Sequence, residues 1–468
     1  MTRHPLLSAL IASALAVLPA TGIAAPPADR GETSAVAFPG AMGWAAHTPG
    51  GRGGRILRVT TLAAEGPGSF TEAVNAKGPR IVVFEVGGVI DLGVKTLKIR
   101  EPYLTIAGQT APQPGITLIR GGIDIATHDV VVRHLRVRPG EAGQPKRSGV
   151  DFDAISTVGA HDVIVDHCSL TWATDENLSA SGTRFGGANA AEWRETTSHR
   201  ITFSHNLIAE GLAHSSHGKG EHSKGSLIHD NARDILIVGN LYAHNNERSP
   251  LFKGGTQGVV VNNLIYNPGQ RAVHYNLIAE EWQGHPYEDG RLTVIGNVMR
   301  GGMDTPQQAA FFMFGGSGWL DLYLHDNLAV ARIGNPLPMM GRYSTARAGV
   351  RLLKTPPPLP FGVTPIAAAD VQDAVIADVG ARPWDRDDID RRILADTIEG
   401  RGHVIDSEQQ VGGYPVVAET RQPFVEADWD LDTTAPKKPL PRRDPLRGVR
   451  RCSATLRRYW HIRSRPHC

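Results

Sequence analysis

The stretch DILIVGNLYAHNNERSPLFKGGTQGVVVNNLIY, residues 234–266, contains one short pattern twice. A run of apolar, often β-branched residues ends at an asparagine, first Asn240 and then Asn263, and a second apolar run follows at once. Alternation of apolar and polar positions is typical of a β-strand and not of a helix. The stretch therefore predicts a repeated unit of strand, bend and strand.

The same pattern recurs on both sides of this stretch. It reads DVVVRHLRV (129–137), DVIVDHCSL (162–170), RITFSHNLI (200–208), RLTVIGNVM (291–299) and DLYLHDNLAV (321–330). The residues at the bend lie 23 to 38 positions apart along the chain, and they are Cys168, Asn206, Asn240, Asn263, Asn297 and Asn327. Such a period is the signature of stacked repeats.

A unit this short cannot bury its own apolar face, so successive coils must stack. In-register stacking puts equal residues above one another, and an asparagine at each bend can then bond to the next as a ladder. We therefore predict an all-β fold, a right-handed parallel β-helix, with a few peripheral helices. One or two of these helices are expected in segment 368–400, and the β-helix domain is expected to span 36–415.

The two ends of the chain differ from its body. Residues 1–25 combine an early arginine, an apolar run and small residues near Ala25, which predicts a secretory signal peptide and a secreted protein, extracellular or periplasmic. No second apolar stretch is long enough to span a membrane, so we expect no membrane partner. Residues 436–468 are strongly basic and predict a disordered tail.

The tail contains no recognisable nucleic-acid-binding module, so no nucleic acid partner is expected, and we expect a monomer. Three cysteines do not make a disulfide framework. Cys168 lies in an apolar strand and is expected to be buried. Cys452 and Cys468 could pair with each other.

Several further motifs occur in order: AFPGAMGWAAHTPGGRGG, LTIAGQTAP, VIVDHCSLTWATDENLS, HGKGEHSKGSL, NERSPLF and VIDSEQQVGGYP. With them the chain resembles the pectate lyases, a family of polysaccharide lyases with a β-helix fold, over about residues 36–415. The resemblance implies an enzyme that acts on an acidic polysaccharide, polygalacturonate. It implies calcium-assisted β-elimination that gives 4,5-unsaturated uronides.

This reaction removes the proton on C5, next to a carboxylate, and expels the glycosidic O4. Neutralising that carboxylate with a metal and with cations stabilises the enolate-like state. By resemblance Arg248 is the catalytic base, which requires a lowered pKa because a free guanidinium has a pKa above about 12. Lys253 matches the second arginine of the motif and would bind a substrate carboxylate, although a lysine lacks the bidentate fork.

A second substrate-binding lysine is implied one coil earlier, and two candidates fit. Lys224 has the register of one branch of the family, and Lys219 lies in a pattern, H-x-K-G-x-H, that resembles another. The sequence slightly favours Lys219. The nearby histidines have a spacing that fits no standard transition-metal site, and they are His214, His217, His222 and His229.

Calcium requires several oxygen ligands at one place. Asp151 and Asp153 lie two apart and are predicted to share one face of a strand, and Asp175 falls one coil later. The resemblance makes these three aspartates the metal ligands. The family pattern has a fourth acid where this chain has Ser179, and Glu176 is the candidate to replace it. The alternative is a set of surface acids that bind no metal.

Three other functions compete with this interpretation. A β-helix glycoside hydrolase, such as a polygalacturonase, needs paired carboxylates, but it gives no reason for the pair Arg248 and Lys253. A polysaccharide-binding adhesin would present aromatic platforms, and only 6% of the residues are aromatic. A lyase for another polyuronate, such as alginate, is not separated by the motifs, because every polyuronate presents the same C5 chemistry.

Overall fold

The computed structural model describes residues 35–343 and 345–440, and all its elements lie in one compact unit that begins at Val36. The strands in chain order are β1 (Arg55–Val59), β2 (Arg80–Phe84), β3 (Val86–Asp91), β4 (Leu97–Ile99), β5 (Leu104–Ala107), β6 (Ile116–Ile119), β7 (Ile123–Ile125), β8 (His128–Arg133), β9 (Arg136–Arg138), β10 (Ile155–Val158), β11 (His161–Asp166), β12 (Ser169–Thr171), β13 (Leu178–Ser181), β14 (His199–Ser204), β15 (Leu207–Ala209), β16 (Leu227–Ile228), β17 (Arg233–Val238), β18 (Leu241–Ala243), β19 (Leu251–Lys253), β20 (Gln257–Val261), β21 (Leu264–Tyr266), β22 (Val273–Leu277), β23 (Gly290–Ile295), β24 (Val298–Arg300), β25 (Phe312–Gly316), β26 (Trp319–His325), β27 (Leu328–Val330), β28 (Met340–Arg342), β29 (Gly349–Leu352), β30 (Thr420–Arg421), β31 (Trp429–Asp430) and β32 (Ala435–Pro436). The α-helices are α1 (Phe70–Asn75), α2 (Ala190–Thr196), α3 (Ala368–Asp378) and α4 (Asp388–Glu399). Single 3₁₀ turns occupy Gly108–Thr110, Ala279–Trp282, Glu408–Val411 and Glu426–Asp428.

The strands form three long sheets, which the chain visits in a fixed order. The first sheet is β1-β2-β5-β8-β11-β14-β17-β20-β23-β26-β29, the second is β27-β24-β21-β18-β15-β12-β9-β6-β3-β30, and the third is β28-β25-β22-β19-β16-β13-β10-β7-β4. Neighbouring strands are parallel, as in β11 with β14, β12 with β15 and β10 with β13. Within these three sheets only β30 runs antiparallel, beside β3, and β31 and β32 form a separate antiparallel pair. Each coil thus contributes one strand to each sheet, which confirms the predicted parallel β-helix.

The predicted asparagine ladder lies at the bend between the first and second sheets. Oδ1 of Asn240 accepts hydrogen bonds from the backbone N of Asn206 at 2.8 Å and from its Nδ2 at 3.0 Å. The same pair of bonds, each 2.9 Å long, joins Asn240 to Asn263, Asn263 to Asn297 and Asn297 to Asn327. Each side chain therefore satisfies the backbone of the preceding coil.

The apolar residues of successive strands stack into columns inside the helix. In the first sheet Val163 of β11 pairs with Ile201 of β14, which pairs with Ile235 of β17, and all three are buried. A repeat in the sequence thus becomes a column in the core. Phe70 and Val74 of α1 pack against the same core.

Helices α3 and α4 lie outside the β-helix, in the segment predicted to be helical. Val375 of α3 and Leu394 of α4 pack in one cluster with Leu241 and Leu264 of the second sheet. These contacts cover the apolar outer face of the second sheet.

The packed chain continues past residue 415, where the sequence analysis ends the domain. Strand β30 pairs with β3, and Phe424 packs on Ile81 of the first sheet. Nε2 of Gln109 donates to the carbonyl oxygen of Thr434 at 2.9 Å. The C-terminal segment thus returns to the first coils of the helix.

The described residues do not include the predicted signal peptide or residues 441–468 of the predicted basic tail. Cys452 and Cys468 lie outside them as well. Cys168 is free and fully buried. Among the described residues, no helix has both the length and the apolar character that a membrane span requires.

Three histidines at the bend between the first and second sheets stack on one another from coil to coil. The rings of His134, His167 and His205 lie 5.1 and 4.8 Å apart. Nδ1 of His167 bonds to Asp166 at 2.7 Å, and its Nε2 lies 3.4 Å from Asp378 of α3. Burial lowers the pKa of His167, but the carboxylates of Asp166 and Asp378 outweigh burial and raise this pKa to about 9.

Breaking the ladder should destabilise the fold. Asn240→Ala removes the acceptor for Asn206 and leaves a buried backbone N–H without a partner. We expect the free energy of unfolding to fall by about 3 kcal/mol. Asn327→Ala, at the end of the ladder and less buried, is the matched control and should cost about 1 kcal/mol. Equal losses for the two variants in urea titrations would contradict a cooperative ladder.

The His167 ion pairs should make stability depend on alkaline pH. Because the pKa of His167 is raised on folding, the pairs contribute fully below about pH 6.5, and the contribution is lost as the pH rises through about 9. We expect a loss on the order of 2 kcal/mol between about pH 7 and pH 10 in urea titrations. Asp378→Asn should flatten this dependence, whereas Asp373→Asn, an exposed position on the same helix, should not.

Candidate active site

Charged residues collect where the chain enters the third sheet. Asp153, Glu176, Lys224 and Arg248 lie two or three residues ahead of β10, β13, β16 and β19, which are neighbours in that sheet. Isolated backbone bridges extend the sheet by pairing Glu176 with Lys224 and Lys224 with Glu247. Stacking of four coils thus places five charged residues along the side of the sheet where its strands begin. We name them the charged row: Asp153, Glu176, Lys224, Glu247 and Arg248.

Three carboxylates meet at the beginning of the charged row. One oxygen each of Asp153, Asp175 and Glu176 lie within 4.8 Å of one another. Burial, and then the charge of Asp175, raise the pKa of Asp153 well above its usual range. The backbone N of Glu176 donates to Oδ1 of Asp153 at 2.8 Å and fixes the orientation of that carboxyl group. An all-oxygen group whose members repel one another fits a hard divalent cation such as calcium.

Asp151 does not belong to this carboxylate group. It is half exposed, and its Oδ2 lies 3.7 Å from Nε2 of His217. The prediction that Asp151 and Asp153 share a face of a strand is wrong, because both precede β10, which begins at Ile155. The alternation of a strand does not apply in that connection.

Two stacked histidines support Asp175. The rings of His217 and His222 lie 3.9 Å apart, and Nε2 of His222 is 2.6 Å from Oδ1 of Asp175. The backbone N of Lys219 donates to Nδ1 of His217, so the ring proton of His217 is on Nε2, which faces Asp175 at 3.6 Å. Burial raises the pKa of Asp175, but the hydrogen bonds from His217 and His222 outweigh burial and hold it well below its usual range.

Arg248 lies against the carboxylate group. Its Nη1 contacts Oε1 of Glu176, and its Nε is buried with no hydrogen-bond partner. The backbone of Arg248 is left-handed, with φ of 62°, which a non-glycine residue rarely adopts. Burial lowers the pKa of Arg248, although the carboxylates of Asp175 and Asp153 act in the opposite direction. The structure therefore holds a guanidinium with a depressed pKa beside three acids.

The structure places Lys224 in the charged row and Lys219 outside it, whereas the sequence slightly favours Lys219. Nζ of Lys224 contacts Glu247 within the charged row, and Nη2 of Arg271 contacts the same carboxylate. Burial raises the pKa of Glu247, but His274, Lys224 and Arg271 lower it to about 2. Lys219 instead lies exposed in the connection between β15 and β16.

Lys253 is the last residue of β19. It therefore lies on the side of the third sheet where the strands end, whereas the charged row lies where they begin. Its Nζ contacts Glu281 and lies 3.5 Å from Asp230, and Arg184 bonds to both acids. The structure thus separates Lys253 from the carboxylate group. Sequence reasoning missed Arg184, Asp230 and Glu281, because they come from connections of different length that show no shared pattern.

The chain was compared with known proteins, and no family model matches it. A probable pectate lyase C of Aspergillus terreus is 32% identical over 388 residues, which cover 81% of this chain and 81% of that relative. A probable pectate lyase C of Neosartorya fischeri is 30% identical over 387 residues, with coverage of 81% and 82%.

A solved structure supports the fold. The structure of a thermostable pectate lyase matches with a TM-score of 0.52 and 15% identity, over 74% of this chain and 98% of that one. At this identity the match shows that both proteins share the parallel β-helix. Because two curated relatives are at least 30% identical over most of both chains, this chain belongs to the pectate lyase family of enzymes.

Proposed function

We propose that the chain cleaves polygalacturonate by calcium-assisted β-elimination and releases 4,5-unsaturated uronides. The observation that carries this proposal is the position of Arg248, a guanidinium with a depressed pKa, directly beside Asp153, Asp175 and Glu176. Pectate lyases as relatives support the same reaction. A hydrolase is not favoured, since hydrolysis would not require a buried arginine among the acids.

The three carboxylates are the proposed calcium ligands. Their oxygens converge, the donor set is entirely oxygen, and Asp153 resists ionisation because it is buried beside Asp175. A bound calcium ion would supply positive charge opposite the substrate carboxylate. His217 and His222 would keep Asp175 ionised and oriented for this role.

Arg248 is the proposed base at C5. The neutral guanidine of Arg248 takes the C5 proton, the electrons of the C5–H bond form the C4–C5 double bond, and the C4–O4 bond breaks. O4 leaves as an alkoxide, which takes a proton from water. Burial favours that neutral form, whereas the contact with Glu176 favours the charged form. A Glu176 that is engaged elsewhere would therefore lower the pKa of Arg248 further and raise the fraction of the neutral form that can accept the proton, as alkaline working conditions also do.

Lys224 is the proposed lysine that binds substrate within the charged row. It lies between the carboxylate group and Arg271, so it adds positive charge where the uronate carboxylate must be neutralised. We also propose that the enzyme is secreted. The sequence pattern of residues 1–25 and the size of a polysaccharide substrate support an activity outside the cytoplasm.

Replacing Arg248 should abolish the elimination. We expect Arg248→Lys to lower kcat on polygalacturonate by about 100-fold or more, because a positioned base contributes that much. The measurement is ultraviolet absorbance of the unsaturated product at alkaline pH. Arg291→Lys, an exposed arginine in the first sheet, is the matched control and should retain full activity.

Three other results of this assay would each contradict a different part of the proposal. New reducing ends without absorbance would mean hydrolysis and would transfer the chemistry to the aspartates. Absorbance with alginate but not with polygalacturonate would change the substrate and leave the reaction unchanged. Full activity of Arg248→Lys would remove Arg248 from the role of base.

Removing calcium ligands should weaken calcium binding. We expect Asp175→Asn to raise the Kd for calcium about tenfold or more, and Asp151→Asn to change it by less than about threefold, because only Asp175 belongs to the carboxylate group. Calorimetry and the rise of Tm with calcium measure this without turnover. Equal effects of the two variants would restore Asp151 as a ligand.

A further inference from the structure

The cluster around Lys253 contains two cations that converge on one carboxylate oxygen. Nη2 of Arg184 lies 2.9 Å from Oε2 of Glu281, and Nζ of Lys253 contacts the same oxygen. Hydrogen bonds from a charged donor to a carboxylate are stronger than bonds between neutral groups, and here two cations supply them to one carboxylate. Glu281 thus marks a ready-made carboxylate position at this edge of the third sheet.

Asp230 is the permanent partner of this pair of cations. It is fully buried and accepts hydrogen bonds from Nε of Arg184 at 3.0 Å, from Nε1 of Trp282 at 2.7 Å and from the backbone N of Gly254 at 3.0 Å. Its pKa lies below the usual range, since Lys253 outweighs the effect of burial. Asp230 therefore stays charged and holds Arg184 in place.

Glu281 differs from Asp230 in its exposure and in its place in the chain. One third of its side chain is exposed, and it lies on the single turn Ala279–Trp282, in the connection from the third sheet back to the first. Its described ion pairs are the two with Arg184 and Lys253. Glu281 can therefore leave the cluster without uncovering a buried acid, whereas Asp230 cannot.

The charges of the cluster balance only while Glu281 is present. Arg184 and Lys253 supply two positive charges, and Asp230 and Glu281 supply two negative charges. His229 adds none, because burial lowers its pKa to about 4 and keeps it neutral. Departure of Glu281 leaves one unbalanced positive charge, which matches one uronate carboxylate.

We propose that Arg184 and Lys253 together form a subsite for a substrate carboxylate, and that Glu281 occupies this subsite until the substrate displaces it. The proposal rests on the polyuronate substrate of the proposed function. The family resemblance already implies that Lys253 binds a substrate carboxylate, and the new parts are Arg184 and Glu281. Arg184 supplies the planar donor group that Lys253 lacks. Glu281 acts as an internal competitor, and a methyl-esterified uronate has no charge with which to displace it.

The test measures binding of trigalacturonate by calorimetry, with calcium present and in the Arg248→Lys background so that no turnover occurs. Glu281→Gln removes the competing charge but keeps the shape, and it should lower the Kd about threefold to tenfold. Lys253→Gln and Arg184→Gln should raise it about tenfold. Glu280→Gln, an exposed acid on the same turn, is the matched control and should leave the Kd unchanged.

A second probe separates this subsite from a structural ion pair. Trigalacturonate with methyl-esterified carboxylates should bind equally to the chain with and without Glu281→Gln. An unchanged or raised Kd for trigalacturonate in Glu281→Gln, in a variant whose Tm is retained, would overturn the proposal. Arg184→Gln can unfold because it removes one of the two cations paired with the buried Asp230, so the Glu281→Gln result decides.

The proposed function has its own readout. If the unaltered chain gives unsaturated product from polygalacturonate while Glu281→Gln binds no tighter, only the subsite fails. If the unaltered chain gives no product from any polyuronate, the proposed function fails first.

Discussion

The fold depends on one constraint, the in-register hydrogen bonding of each coil to the next. Parallel pairing satisfies the strands, and the asparagine ladder satisfies the bends, at distances that hardly vary from 2.8 to 3.0 Å. The connections between the second and third sheets follow this constraint only locally, for example where Nδ2 of Asn177 donates to Oδ1 of Asn245 at 3.1 Å. The length of those connections can therefore change from coil to coil, and the chain uses this freedom to build the site.

The site is a consequence of stacking charged residues on the edge of a rigid sheet. Side chains from four coils are brought together without any helix or domain to position them. Burying several charged side chains together is unfavourable unless each has a partner of opposite charge. The chain supplies such partners by pairing Glu176 with Arg248 and Lys224 with Glu247. The pKa on which the proposed chemistry depends, that of Arg248, is lowered by burial against the opposing charges of Asp175 and Asp153.

Much of this architecture could be predicted from the sequence. The bend asparagines repeat visibly, and the motif around Arg248 stands next to one of them, so both the coils and the proposed base could be predicted from the sequence. The register of the connections between the second and third sheets could not be predicted in this way. Asp151 and Lys219 have the right residue types, but their connections follow no periodic rule. Only the fold shows that Asp153 and Lys224 lie in the charged row and that Asp151 and Lys219 do not. Glu281 carries no signal at all, because its partners lie in distant coils.

The return of the C-terminal segment to the first coils affects how the protein comes apart. A solenoid normally frays from its ends, because each repeat touches only its neighbours. Here β30 pairs with β3, and Arg58 of β1 donates to the carbonyl oxygen of Phe424 at 2.9 Å. The first coil is thus fastened by the segment that follows the last coil. The two ends of the linear array are thus coupled, so unfolding of the N-terminal coil requires release of the C-terminal segment as well.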